Sequence, residues 1–476
     1  MRASDYTIIV DLPEDGQSLL VHGYTGAFDV VQPQVAEFLR EMCAPDTRFD
    51  APSTISPDSL ATLQHRGYLT DMTPAQEQTH VLRLAEILQK RHRRQSPSFL
   101  VIPTYDCNLR CTYCYEKLLR RNGRAWLETR MTPDQVDAAY AAMRELQAQA
   151  AHQPRVRAIT LYGGEPLLAG NRELIEYIVA RGRAAGYVFG AITNGVELDQ
   201  FLHLVGPDSL RTLQITLDGP PEVHDRRRVR ADGSGSFDAI QANIGAALAA
   251  GAEVSVRMNV DRKNMAVMKT LSRLIDEYGW SQRKNFSAYI SAVHDAHYGN
   301  PANELLIGEL QAAYLCELPT HPELHRIMDP ARVLQKQLGE TLFAHGFPPF
   351  RPSFCGSNAG MYLFDPFGDL YPCWDVVGRA EYKIGSFFPG GLRLDSDALD
   401  PWLTRTITQI PECRTCPYAL FCGGGCTSQA HQTYGRFDAP VCHDFVEQFH
   451  LILPALYRQR MAQADQDRDA DTEPLH

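Results

Sequence analysis

The chain has 476 residues, 44% hydrophobic and 22% charged, a balance that suits a soluble globular protein of two or three domains. Its formal charge of −11, with no long basic run, argues against nucleic-acid binding, and no stretch reaches the ~18 apolar residues of a membrane span. Twelve cysteines without the apolar core of a signal peptide point to a reducing, cytoplasmic setting, where clustered thiols bind metal or act in catalysis rather than pair.

In chain order, Tyr6–Val10, Leu19–His22 and Phe28–Val31 read as short strands separated by Asp15-Gly16 and Thr25-Gly26 turns. Helical spacing follows over Gln34–Met42 and over Pro57–Gly67, the second capped by Ser56. Arg66-Gly-Tyr-Leu-Thr70 closes this unit, taken as residues 1–72. The order resembles the small winged-helix-like recognition element fused to many peptide-modifying enzymes, which binds a precursor's leader segment as an added strand. A plain structural cap shares the pattern. Residues 73–97 read as a solvated linker helix ending in the basic run Lys90–Arg94.

From 98 to 300, strand and helix patterns alternate as in βα units. Strands read at Phe99–Ile102, Val156–Tyr162, Tyr187–Ile192, Leu213–Leu217 and Glu253–Val260, with helices at Asn171–Ala184 and Phe237–Ala250. Glycine and polar residues recur just after the strands, where parallel α/β folds place ligand-binding loops. Residues 301–350 read as a helical bridge, 351–450 as a cysteine-rich domain, and 451–476 as a helix with a disordered acidic tail from Gln463.

Of the twelve cysteines only Cys43 and Cys316 stand alone. Cys107, Cys111 and Cys114 occupy the loop after the first of these strands at spacing C-x3-C-x2-C, with Tyr113 before the last. Three thiolates in eight residues reach one metal centre and leave a ligand position open; zinc prefers paired C-x2–4-C knuckles with a fourth ligand nearby. The spacing resembles the radical S-adenosyl-L-methionine (SAM) enzymes. That resemblance implies a partial, six-unit (β/α) TIM-like barrel, a 4Fe–4S cluster on Cys107, Cys111 and Cys114, and SAM on its open iron. It further implies that Gly163-Gly164-Glu165-Pro166 receives the SAM amino group, that Asn194 and Thr216 contact its ribose or carboxylate, and that Arg257 faces the carboxylate. Each of these residues alone is equally a turn residue or a surface charge. The segment His224–Phe237 also resembles the peptide-modifying branch, its arginines shaping a substrate channel or decorating a loop.

Seven further cysteines follow: Cys355, Cys373, Cys413, Cys416, Cys422, Cys426 and Cys442. Their order and spacing resemble the SPASM extension of radical SAM enzymes that mature peptides and proteins. By that resemblance Cys413, Cys416, Cys422 and Cys442 hold a distal auxiliary 4Fe–4S cluster, and Cys355, Cys373 and Cys426 a proximal one. Three clusters result, and the proximal one is a ligand short. The expected activity is reductive SAM cleavage to a 5′-deoxyadenosyl radical that modifies a bound precursor peptide, most simply by a thioether, carbon–carbon or ether cross-link, with a flavodoxin- or ferredoxin-type electron donor. Maturation of a larger subunit, as for quinohaemoprotein amine dehydrogenase, uses the same parts. Sulfatase-type formylglycine formation is disfavoured because Trp374 follows Cys373 where those enzymes carry an aspartate, displacing Asp375 by one residue. Asp375 is a candidate base, with His294 and Asp295 as others. The competing class is a non-enzymatic zinc- or cluster-bearing peptide-binding protein.

Overall fold

The computed structural model describes residues 1–12, 14–42, 55–94, 96–150, 156–293, 305–343 and 349–470. The chain divides into two compact units, one of Met1–Arg91, Ala331–Cys355 and Arg405–His476, the other of His92–Pro330 and Gly356–Thr404. Among the described residues no helix is long and apolar enough to cross a membrane.

In the first unit, β1 (Arg2–Ala3) precedes β2 (Thr7–Leu12), β3 (Gln17–His22) and β4 (Phe28–Val31), the last three forming an antiparallel meander. A helix over Pro33–Met42 follows, then one over Pro57–Arg66 whose start is fixed by Ser56, which accepts from Ser59 N at 3.1 Å. Gly67 ends that helix at φ 94°, and β5 (Leu69–Thr70) returns to pair with β1. Leu20, Phe38, Leu39, Leu63 and Tyr68 form the common core. Beneath it Glu77 is wholly buried, paired with Arg2 at 2.6 Å and accepting from Ser4 and Tyr24, so its charge is matched inside the unit. The same unit carries most of the second cysteine group. Tyr6 donates to Arg414 O, and a side chain at Gly23 would strike Pro417 O, so the meander lies directly on the Cys413–Cys416 turn. A final helix, Phe445–Ala470, packs against β2. Its backbone is helical through residue 470, past Gln463 where the tail was expected to begin.

In the second unit, β6 (Ser98–Val101), β7 (Arg157–Leu161), β8 (Tyr187–Thr193), β9 (Leu210–Thr216), β10 (Glu253–Val260) and β11 (Phe286–Ala292) lie side by side in sequence order, all parallel. The helices Pro133–Ala148, Arg172–Ala184, Phe237–Ala249 and Met268–Glu277 stand among the crossovers. The alternating strand pattern implies such a parallel sheet, and its six strands are the number that the family resemblance implies. One face carries Ile159, Leu161, Phe189, Leu213, Ile215, Val254, Val256 and Ile290, all buried, each worth about 1.5–3 kcal/mol. The other face is polar. The registers Thr160↔Gly190, Gly190↔Thr212 and Gln214↔Ser255 align small and hydroxyl residues across it, lining a cavity of about 420 Å³. A sheet apolar on one face and polar on the other suits an incomplete barrel that keeps its interior wet.

The sheet continues past β6. β12 (Met361–Phe364) pairs parallel with it, and β13 (Asp369–Tyr371), β14 (Gly385–Ser386) and β15 (Arg393–Leu394) add antiparallel strands, making ten.

Candidate active site

The chemistry-bearing residues of the second unit collect at the C-terminal ends of its parallel strands. After β6, Thr104 Oγ1 accepts from Asp106 N at 3.1 Å and Asp106 Oδ1 accepts from Cys107 N at 2.8 Å, two local turns that start the cysteine loop. The loop then runs against residues 227–231. Arg110 N donates to Val229 O at 2.8 Å, Thr112 N to Arg227 O at 3.0 Å, and Ala231 N to Asn108 O at 3.0 Å.

The loop after β7 docks beneath it, which explains the paired glycines. A Cβ on Gly163, at φ 124°, would lie 2.5 Å from Thr104 O, and one on Gly164 would lie 2.3 Å from Tyr105 O and 2.4 Å from Asp106 O. Glu165 N instead donates to Asp106 O at 2.8 Å. The Glu165 carboxylate accepts from Thr193 Oγ1 at 2.6 Å, Asn194 N at 2.6 Å and Leu167 N at 2.8 Å, tying the ends of β7 and β8 together. Burial pushes its pKa up to about 7, while those three donors pull it down. Asn194 Nδ2 donates to Asn108 Oδ1 at 2.7 Å and points at Cys107 Sγ at 3.8 Å, and Leu109 N reaches the same sulfur at 3.4 Å.

Tyr113 is clamped from the opposite side. Its hydroxyl accepts from Arg228 Nη1 at 2.8 Å and Asn259 Nδ2 at 3.2 Å, and the Arg227 guanidinium sits 5.0 Å over its ring. Arg227 in turn pairs with Asp261 at 2.8 Å and Asp218 at 3.3 Å. Both arginines are buried, so they neither line a channel nor decorate a loop; they buttress the cysteine loop. Thr216, the last residue of β9, is the register neighbour of Arg257 within β10, and Arg257 Nη2 donates to Ser291 Oγ at 3.0 Å.

The electrostatics single out further residues. Burial pushes Cys107 and Cys111 above the ordinary thiol range and Cys114 up to about 12, and a cation at the site would favour their thiolate forms. Glu116, within the same loop, is raised by burial to about 8, with Glu165 adding to the effect. Tyr162, immediately before Gly163, is raised by burial and then by the charges of Asp375, Cys114 and Cys373, which places all three within its electrostatic reach. Glu116 and Tyr162 escaped the sequence, and Arg228 was legible there only as one of a run of arginines. Only Tyr162, wedged between a strand and the paired glycines, had a positional signal.

The residues present fit a 4Fe–4S cluster with SAM. Three thiols converge on one loop, and two buried donors beside them, Asn108 Nδ2 and Arg228 Nε, lack a partner in the chain, as does Arg257 Nε on β10. Among the described residues no three His, Cys, Asp or Glu side chains converge as ligands of a single ion; ligands of a cluster bind different irons and stand further apart.

In the first unit, burial pushes Cys413 up to about 12 and the charges of Cys422, Cys416 and Cys442 add to it, so the four thiols share one neighbourhood. Three consecutive glycines, Gly423, Gly424 and Gly425, lead to Cys426 at φ 74°, 83° and 76°. Cys355 and Cys426 belong to this unit and Cys373 to the other. His294 and Asp295 lie outside the described residues.

Residues 101–273 match the family model described as the Radical SAM superfamily. The chain is 23% identical over 386 residues to the cysteine-type anaerobic sulfatase-maturating enzyme of Clostridium novyi, covering 76% of this chain and 96% of that one. It is 27% identical over 382 residues to the mycofactocin maturase MftC of Mycobacterium ulcerans, covering 76% and 91%. Among solved structures it resembles anSMEcpe with bound AdoMet and a peptide, at TM-score 0.57 and 17% identity over 76% of this chain and 98% of that one. It also resembles Streptococcus suis SuiB, at TM-score 0.50 and 14% identity over 91% and 97%. These likenesses in structure concern the fold. The family match, together with the cysteine triad and the strand-end residues locked around it, makes residues 101–273 a radical SAM domain.

Proposed function

We propose that this enzyme is a SPASM-type maturase that modifies a ribosomally made precursor peptide by forming a cross-link between two of its side chains. The observation that carries the reading is the shared neighbourhood of Cys413, Cys416, Cys422 and Cys442, a four-thiolate set apart from the cysteine triad. Similarity to maturases of two kinds supports a peptide or protein substrate. When bound, SAM and its cluster supply a 5′-deoxyadenosyl radical that removes a hydrogen from the substrate. Cys107, Cys111 and Cys114 hold that cluster, with Asn194 and Leu109 N directed at the Cys107 sulfur. Arg257 and Thr216 face the SAM carboxylate and ribose, and the polar inner face of the sheet admits the peptide backbone. The four-thiol set holds one auxiliary cluster, and Cys355 and Cys426 of the same unit belong to a second. The meander of the first unit offers β4 as an edge strand, with Val30 37% exposed, to a leader segment. A one-electron donor of the flavodoxin or ferredoxin type completes the system.

A second reading, protein-subunit maturation including formylglycine formation, draws support from the sulfatase-maturating relative and from Asp375 near Tyr162. Trp374 weighs against it, because it is 47% exposed and displaces the acid by one residue in a short 3-10 turn. Co-expression with a small peptide encoded beside this chain, followed by mass spectrometry, separates the two. Loss of two hydrogens per link supports cross-linking. A modified peptide with unchanged mass or added carbon overturns it, as does modification confined to a sulfatase-type cysteine.

A further inference from the structure

The first unit contains a buried cation whose hydrogen bonds are all to backbone carbonyls. Arg405 is 2% exposed. Its Nη1 donates to Gly425 O at 2.7 Å, its Nη2 to Gly424 O and Ala439 O at 2.8 Å each, and its Nε to Phe437 O at 2.7 Å. No carboxylate is among these partners. Carbonyl dipoles satisfy the N–H groups but do not neutralise the charge, and an uncompensated buried guanidinium is costly. Burial pulls its pKa down, and the charges that push back are those of Cys426, Cys413, Cys355 and Cys422. Arg351 follows the same pattern on a smaller scale. Its Nε donates to Phe421 O at 2.9 Å, and its opposing charges are Cys422 and Cys355.

We infer that Arg405 is the shared counter-ion of the two auxiliary clusters and the positioning residue of the turn between them. The inference rests on the proposed assignment of these cysteines to two clusters. The carbonyls it gathers come from the Gly423–Gly425 turn, which runs from a distal ligand, Cys422, to a proximal ligand, Cys426, and from residues 437–439, which approach Cys442. The turn has no room to close by other means. A Cβ on Gly425 would meet Val441 O at 2.0 Å and one on Gly423 would meet Ser353 O at 2.5 Å. One guanidinium therefore fixes the backbone on which both ligand sets depend and supplies positive charge where thiolates and cluster accumulate negative charge. Reduction adds an electron, so a nearby cation favours the reduced state and its removal moves the midpoint potential in the negative direction.

The test compares Arg405→Gln, which keeps amide donors and loses the charge, with Arg405→Lys, which keeps the charge and loses the planar fork. Holoenzyme is reconstituted anaerobically, its iron counted, and its reduced clusters titrated by electron paramagnetic resonance. In Arg405→Gln the auxiliary signals should titrate at more negative potential while the SAM-cluster signal stays in place. In Arg405→Lys the auxiliary potentials should stay near wild type, with lower auxiliary occupancy. If Arg405→Gln fails to hold auxiliary iron while Arg405→Lys holds it, the charge is again the cause. Unshifted auxiliary potentials in a fully loaded Arg405→Gln protein, or equal loss of auxiliary iron in both variants, would overturn the inference. Wild-type enzyme that binds only about four irons per chain would overturn the auxiliary-cluster assignment itself.

Discussion

Arg228 Nη1 lies 2.8 Å from the hydroxyl of Tyr113, a residue 115 positions earlier in the chain that stands between Cys111 and Cys114. The bond closes the cysteine loop from the side opposite Glu165. Cys111 and Cys114, which flank Tyr113, cannot shift without breaking it. Replacing Tyr113 with Phe strips Arg228 Nη1 and Asn259 Nδ2 of their common acceptor. The expected cost is about 1–3 kcal/mol of stability, read from urea unfolding. Arg228→Lys cannot span the same geometry, and SAM cleavage to 5′-deoxyadenosine should fall about 10–100-fold, as for other residues that orient metal ligands.

Gly164→Ala should be more severe than its size suggests. The added methyl collides with the carbonyls of Tyr105 and Asp106, which are backbone and cannot rotate away. The cysteine loop must lift. Iron content should drop by about four per chain, and 5′-deoxyadenosine release should vanish, while the auxiliary signals remain. Retention of full iron and activity would show that the loop after β7 does not depend on this contact.

Asn194→Asp tests the amide that faces Cys107. The substitution replaces a donor with an anion beside Asn108 Oδ1 and the Cys107 sulfur. The SAM-cluster potential should move in the negative direction and exceed the change caused by Asn194→Ala, measured by the same titration.

Stability should fall on acidification through a buried histidine. His224 Nδ1 accepts from Asp218 N at 3.2 Å, and its Nε2 faces Ser236 Oγ at 3.0 Å, whose hydroxyl donates to Arg228 O at 2.7 Å; the network fits only a neutral ring. Burial, with Arg228 and Arg227 adding to it, lowers its pKa from 6.5 to about 2. The unfolded chain thus takes up a proton that the folded chain refuses. The contribution is fully present above pH 6.5 and is lost at roughly 1.4 kcal/mol per unit as pH falls below it. Urea midpoints of the wild type should decline from about pH 6 to about pH 4, and His224→Gln should decline less steeply.

The parallel sheet was legible because each strand in this fold ends in a glycine or polar residue, and the sequence repeats that phrase from Gly163 through Asp261. Ser56, Pro57 and Gly67 announced a helix with both ends marked, and it forms with those bounds to within a residue. Strand β9 begins at Leu210 rather than Leu213, because Leu210-Arg-Thr has no apolar run of its own and is drawn into register by β8. The spacing of the cysteine triad pointed to the radical SAM family that residues 101–273 match. Arg228 could not be found the same way. It stands in a run of arginines from 226 to 228, and nothing local says which of them turns inward or that its partner is Tyr113. Charge in a sequence reads as solvent-exposed by default, and the buried cations Arg227, Arg228 and Arg405 are the cases where tertiary partners reverse that default.

The pairing of β12 with β6, in register from Met361↔Ser98 to Phe364↔Val101, has a consequence for how this enzyme can be recombined. The strand that launches the cysteine loop is not the border of the sheet; it is roofed by a segment 260 residues away, where Tyr105 also reaches Asp365. A chimera cut between the radical domain and the cysteine-rich extension would leave β6 as a bare border strand, open to pairing with any other chain. Exchange of extensions among relatives must therefore carry residues 361–371 with the barrel.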